Sequence, residues 1–73
     1  MTKMYSIEGI DCANCAKRLE DTLNKIPETQ VRLSFATERL RITAPDEHFD
    51  AVMKEVRRVT KILEPDAVMA ELR

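Results

Sequence analysis

The spacing of apolar residues switches back and forth between two and three-to-four along this 73-residue chain, in an order that few folds accommodate. In "KMYSIEG", residues 3–9, Tyr5 and Ile7 fall on one side and Met4, Ser6 and Glu8 on the other, the period of a half-buried strand. Gly9, the only glycine, then frees the backbone. From Ala13 to Ile26 the apolar positions Ala16, Leu19, Leu23 and Ile26 recur at helical spacing, and Pro27 is the expected stop. "VRLSFATERLRIT", residues 31–43, alternates Val31, Leu33 and Phe35, breaks at Thr37-Glu38 and resumes with Leu40 and Ile42, the pattern of a hairpin. A second helical stripe follows Pro45: Phe49, Val52, Met53, Val56, Val59 and Leu63, with Asp46 or Glu47 as cap or first-turn acid and Pro65 as terminator. "AVMAEL", residues 67–72, is long enough for one more strand.

Strand, helix, strand, strand, helix, strand is the order of a split βαβ arrangement. The expected fold is α+β: a ferredoxin-like βαββαβ sandwich, a four-stranded antiparallel sheet with two helices on one face. The expected organisation is a single domain over residues 1–73, too small for a deep substrate cleft. Twelve basic residues against thirteen acidic ones leave a net charge of -1, with no long basic stripe, so nucleic acid is not an expected partner. No apolar run approaches the roughly 20 residues of a membrane span and no signal-peptide pattern opens the chain. The expectation is a soluble, cytosolic protein, monomeric and not inserted in a membrane.

Cys12 and Cys15, in "EGIDCANCAKRLEDTL", are the only cysteines, and they are three apart where a loop becomes a helix. In a reducing compartment such a pair reads as metal-binding or catalytic, and a bridge between them would close too short a loop to hold a fold. With Cys12 in the loop and Cys15 in the first helical turn the sulfurs can converge. The unpaired amides and positive dipole end of the helix favour their thiolates. Two sulfurs alone suit a low-coordinate soft ion such as Cu(I). Asp11, immediately before Cys12, offers a harder oxygen that shifts the preference to Zn(II), Cd(II) or Pb(II); its other reading is a helix cap or a solvated loop residue. Such a three-ligand set leaves room for water or a partner's ligand, which suits transfer. Lys17 and Arg18 read as ordinary solvated helix residues, His48 as an exposed residue across the domain, and Met53 as core.

"GIDCANC", the hairpin segment "SFATERLRI" and the element order together resemble the heavy-metal-associated domain found in soluble copper chaperones and at the N-termini of metal-exporting P-type ATPases. The resemblance spans essentially the whole chain. It implies a metal held by Cys12 and Cys15 in the exposed first loop and passed by ligand exchange to a partner domain. Two departures stand out. Ile10 occupies a position where the family commonly has Met, and "KILEPDA" lacks the aromatic or Lys of copper members, with Lys61 only a loose match. With Asp11, this is similar to the domains of zinc, cadmium and lead exporters.

The function expected is therefore a metal-binding module that delivers its ion to a P-type ATPase or regulates it, with a free-standing metallochaperone as the alternative. The rival from another class is a thiol-disulfide oxidoreductase, whose thioredoxin-like members carry an aromatic before the pair and a longer chain. No GxxxxGK[ST] loop is present, so ATP hydrolysis would belong to a larger parent protein and not to this chain.

Overall fold

A hydrophobic stripe on a helix and an apolar face on a sheet bury each other, and the chain solves that problem in two layers. The computed structural model describes residues 1–72. Strand β1 (Thr2–Glu8) leads to helix α1 (Ala13–Leu23), the hairpin β2 (Gln30–Ser34) and β3 (Arg39–Thr43), helix α2 (Phe49–Leu63) and strand β4 (Val68–Glu71). All strand pairs are antiparallel and the sheet order is β2-β3-β1-β4. This is the expected βαββαβ sandwich. Among the described residues no helix is long and apolar enough to cross a membrane.

Register places the alternating apolar residues side by side. Tyr5 lies opposite Leu40, Val31 opposite Ile42, Leu33 opposite Leu40, and Ile7 opposite Met69. Against that face pack Leu19 and Leu23 of α1 and Phe49, Val52, Met53 and Val56 of α2, all buried. Leu19, Leu23, Leu40, Ile42 and Val56 have no accessible surface at all. Each such side chain contributes about 1.5–3 kcal/mol of burial free energy, so the core rests on the two stripes legible in the sequence.

Helix α1 ends at Leu23, three residues short of the expected Ile26, and Pro27 is not what stops it. The reason is Asn24. Its amide nitrogen donates to the Glu20 and Val31 carbonyls (3.0 Å each), and its Oδ1 accepts from the Val31 amide at 2.8 Å. One turn earlier, the Glu20 carboxylate accepts from the Leu33 amide at 2.7 Å. The outward-pointing backbone groups of the edge strand β2 are thus taken up by α1, which blocks pairing with another chain. Leaving the helix at Asn24 is the cost of that latch.

Two other expectations change. Phe35 lies beyond the end of β2 and is 41% exposed, because the hairpin turn begins there, with Glu38 in the left-handed region at φ 54°. Of the two readings of Asp46 and Glu47, the cap is not made: α2 is entered through a 3-10 turn, Asp46–His48, without a side-chain cap, in which both are first-turn acids, and Asp46 pairs with the N-terminal ammonium at 2.8 Å.

Candidate metal centre

Gly9 opens the loop that carries the cysteines. It adopts φ 94°, and a Cβ there would lie 2.6 Å from the Asp66 carbonyl oxygen. The lack of a side chain therefore lets the β1–α1 loop lie directly on the α2–β4 loop. Ile10, half-buried, packs against the core and lines a small hollow with Ile7, Leu33 and Phe35, which anchors the loop from below. Cys12 is the N-cap of α1, in extended conformation (φ -137°, ψ 132°), and its carbonyl accepts the first helical bond from the Ala16 amide at 3.0 Å. Cys15 sits in the first turn. Both cysteines are free, Cys12 exposed and Cys15 half-buried.

The two sulfurs act directly on each other. The backbone amides of Cys15 and then Asn14, at the helix start, lower the Cys12 pKa, and the Cys15 thiol adds to this as a donor. Serving as that donor, together with burial and the charge of Cys12, raises the Cys15 pKa. No side-chain hydrogen bond closes the cap in the geometric sense, so the amides work on the sulfur through their dipoles. Cys12 is thus the first thiolate and Cys15 the proton holder. A depressed pKa means more thiolate at a given pH, so iodoacetamide is expected to label Cys12 at a lower pH than Cys15. Mass spectrometry of partly labelled protein checks the order, and preferential labelling of Cys15 would contradict it.

Asp11 is exposed and immediately precedes Cys12 in the chain. It is not the N-cap, a place taken by Cys12. Among the described residues no three His, Cys, Asp or Glu side chains are gathered closely enough to hold a metal ion, so Asp11 is not drawn together with Cys12 and Cys15. The arrangement is an open pair of thiols with the Glu64 carboxylate acting on both, a donor set suited to a thiophilic cation.

Glu64 is the residue that sequence reading missed. It is half-buried at the end of α2, and its charge opposes ionisation of both cysteines. The close approach of Gly9 to Asp66 is what brings its loop there. No periodicity marks Glu64; the only sequence cue is its place immediately before the helix-ending Pro65. Lys61, the loose match to the family's loop residue, is exposed on the last turn of α2. Lys17 is held by Asp21 at 3.1 Å and approached by Glu20 at 3.7 Å, as befits a solvated helix face. His48 is exposed at the far end of α2, roughly 22 Å of helix away from Glu64.

Residues 4–67 match the heavy-metal-associated domain. The chain belongs to that family. Among curated relatives, the cadmium, zinc and cobalt-transporting ATPase of Helicobacter felis is 35% identical over 68 residues, which is 92% of this chain and 9% of that protein. This heavy-metal-associated domain therefore spans about a tenth of the relative's length. Among solved structures, the Zn(II) form of the ZntA N-terminal domain superposes with a TM-score of 0.72 at 22% identity, over 99% of this chain and 92% of that one. The N-terminal domain of a potential copper-translocating P-type ATPase from Bacillus subtilis, in its Cu(I)-loaded state, gives 0.67 at 26% identity, over 96% and 84%. The family is one of small heavy-metal-associated domains.

Proposed function

We propose that this domain binds one soft or borderline cation through the Cys12 and Cys15 thiolates, with Asp11 as an oxygen donor. It then delivers the ion to, or regulates by its occupancy, a metal-exporting P-type ATPase. In this reading the 73 residues act as one monomeric domain on the cytosolic side of the membrane. The observation that carries it is the pair of free thiols at the exposed start of α1, Cys12 as its N-cap and Cys15 in its first turn. An exposed Cys12 is open to attack on the metal by a partner's thiolate, so the ion can move by ligand exchange without being released to water. A free-standing metallochaperone would use the same site. The name of the H. felis relative supports the ATPase setting.

Zn(II), Cd(II) or Pb(II) is the favoured cargo, with Cu(I) the alternative. Two thiolates cancel the charge of a divalent ion, whereas they leave bound Cu(I) with a net negative charge. The carboxylates of Asp11 and Glu64 oppose that second state more strongly. Zinc also takes oxygen ligands readily, and Cu(I) is content with two sulfurs.

Competition titrations of Asp11→Ala and Glu64→Gln with Zn(II) and Cu(I) test this assignment. Asp11→Ala is expected to weaken Zn(II) by about 10–100-fold, at least the loss that follows removal of an outer-shell group, and to leave Cu(I) within a few-fold. Glu64→Gln is expected to produce a smaller shift in the same direction, because its charge acts through space. Equal losses for both ions in Asp11→Ala would remove Asp11 from the ligand set.

A further inference from the structure

The sheet face turned away from the helices carries a charge arrangement that folding does not explain. In the register of β2 and β3, Arg32 lies directly opposite Arg41, and Arg39 lies opposite Ser34. On the other side of β3, Arg41 faces Met4 and Arg39 faces Ser6 of β1. Arg39 and Arg41 are two apart on one strand and so share a face. The three guanidinium groups form one contiguous cluster, all exposed, beside a Met4 that is 39% exposed. Like charges directly opposite each other on a sheet are destabilising.

No acid relieves the cluster among the described residues, where the ion pairs involve Met1, Lys3, Lys17 and Arg58 only. The acids in the neighbourhood are engaged or offset. Glu20, at the β2 edge, accepts from the Leu33 amide; Glu8 lies farther along β1, opposite Val68; Glu38 sits in the hairpin turn. The cluster lines a shallow groove of about 660 Å³ that also includes Ser34, Thr37 and, at its β2 edge, Glu20, so three guanidinium groups face one carboxylate that is already bonded to the Leu33 amide. It begins at the end of the sheet where the metal loop leaves β1, since the Ile7 amide bonds the Glu38 carbonyl at 3.0 Å.

We propose that this open sheet face is a docking surface for a carboxylate-rich protein segment, and that Arg32, Arg39 and Arg41 receive it. Guanidinium forks match carboxylates in a planar, two-point fashion, which a lysine would not. Neighbouring strands set Arg32 and Arg41 about 5 Å apart, and two residues along β3 set Arg39 and Arg41 about 7 Å apart. Acidic side chains three and four apart on a helix, spaced about 5–6 Å, fit that grid. Two other anions fit less well. Single-stranded RNA readers built on a sheet stack bases on aromatic side chains, and here Tyr5 and Phe49 are buried on the other side of the sheet while Phe35 lies outside the strands. An anionic membrane would meet three charges and one exposed methionine, without the broad apolar or polybasic surface that holds a protein there.

The test is fluorescence anisotropy at low salt with a labelled helical peptide bearing Glu at positions three and four apart. The proteins compared are wild type, the triple variant Arg32→Gln/Arg39→Gln/Arg41→Gln, and a control Arg18→Gln/Lys25→Gln/Lys54→Gln, which loses the same charge from exposed positions on the two helices and the turn after α1. More than tenfold weaker binding in the sheet variant, with the control within about twofold of wild type, is the expected result. Cd(II) titration of both variants should match wild type, which shows that they are folded and that the surface is separate from the metal loop. Equal losses in the two triple variants, or no peptide binding by wild type, would overturn the proposal. So would tighter binding to phosphatidylserine vesicles or to a single-stranded RNA oligonucleotide than to the peptide.

Discussion

Cys12→Ala and Cys15→Ala each remove most of the Cd(II) affinity, and the double variant shows no thiolate-to-metal charge-transfer absorption. The expected loss per single variant exceeds 100-fold, because changes to groups that merely orient a ligand already cost about 10–100-fold. The pair is the only source of thiolate ligands in the chain. One remaining thiol with a carboxylate leaves a harder, weaker donor set. The two single variants are not equivalent. Removing Cys15 takes a proton donor from Cys12, whereas removing Cys12 takes away the largest influence that holds the Cys15 pKa up, so the surviving thiol in Cys12→Ala titrates closer to an ordinary cysteine. Circular dichroism of the double variant should match wild type, since neither cysteine belongs to the buried cluster. A cadmium titration unchanged in the double variant would sink the assignment of the site.

Gly9→Ala is expected to destabilise the fold by about 3 kcal/mol, from strained backbone and steric overlap together. At φ 94° an alanine is outside its comfortable range, and its Cβ would meet the Asp66 oxygen at 2.6 Å and the Ala67 Cα at 3.3 Å. These are backbone atoms of a loop closed by the bond from the Ala67 amide to the Glu64 carbonyl (3.0 Å), so no flexible side chain can swing aside. A chain of this size has a total stability of roughly 4–11 kcal/mol. The melting temperature should therefore fall by roughly 12–24 °C. Gly9→Asn should fare little better: asparagine tolerates left-handed backbone, but its Cβ meets the same oxygen. Relief of the overlap moves the 64–67 loop away from the cysteines, and Cys15 should then alkylate more readily as Glu64 withdraws. Melting of Gly9→Ala within a few degrees of wild type would mean that the two loops are not in the contact described.

The element types were legible because amphipathic period reports directly on which face of a segment is buried. Tyr5 and Ile7, Leu40 and Ile42, and the stripes through Leu19 and Val56 are all in the core as their spacing implies. Ends were less legible. The boundary of α1 depends on Asn24 reaching Val31, a contact to a strand that local propensity does not register. Phe35 continues an alternation that the hairpin turn interrupts, and Asp46 finds the N-terminal ammonium instead of a helix amide. The CxxC spacing and the loop-to-helix position anticipated that Cys12 and Cys15 lie at the start of α1, but nothing local marked Glu64.

What the sequence by itself determined is the order of elements, the apolar face of each, and the placing of two thiols at the start of a helix. Those features follow from neighbours within a few residues, where period and spacing act. The tertiary structure alone decided which loops meet and which charges share a surface. Packing α2 against the sheet returns its C-terminal end to the start of α1, and a side-chain-free Gly9 lets the loops close enough for Glu64 to act on the cysteines. Strand register, in turn, assembles Arg32, Arg39 and Arg41 from two strands into one cluster. Charge is felt through space rather than along the chain, so a pattern read along the chain finds neither.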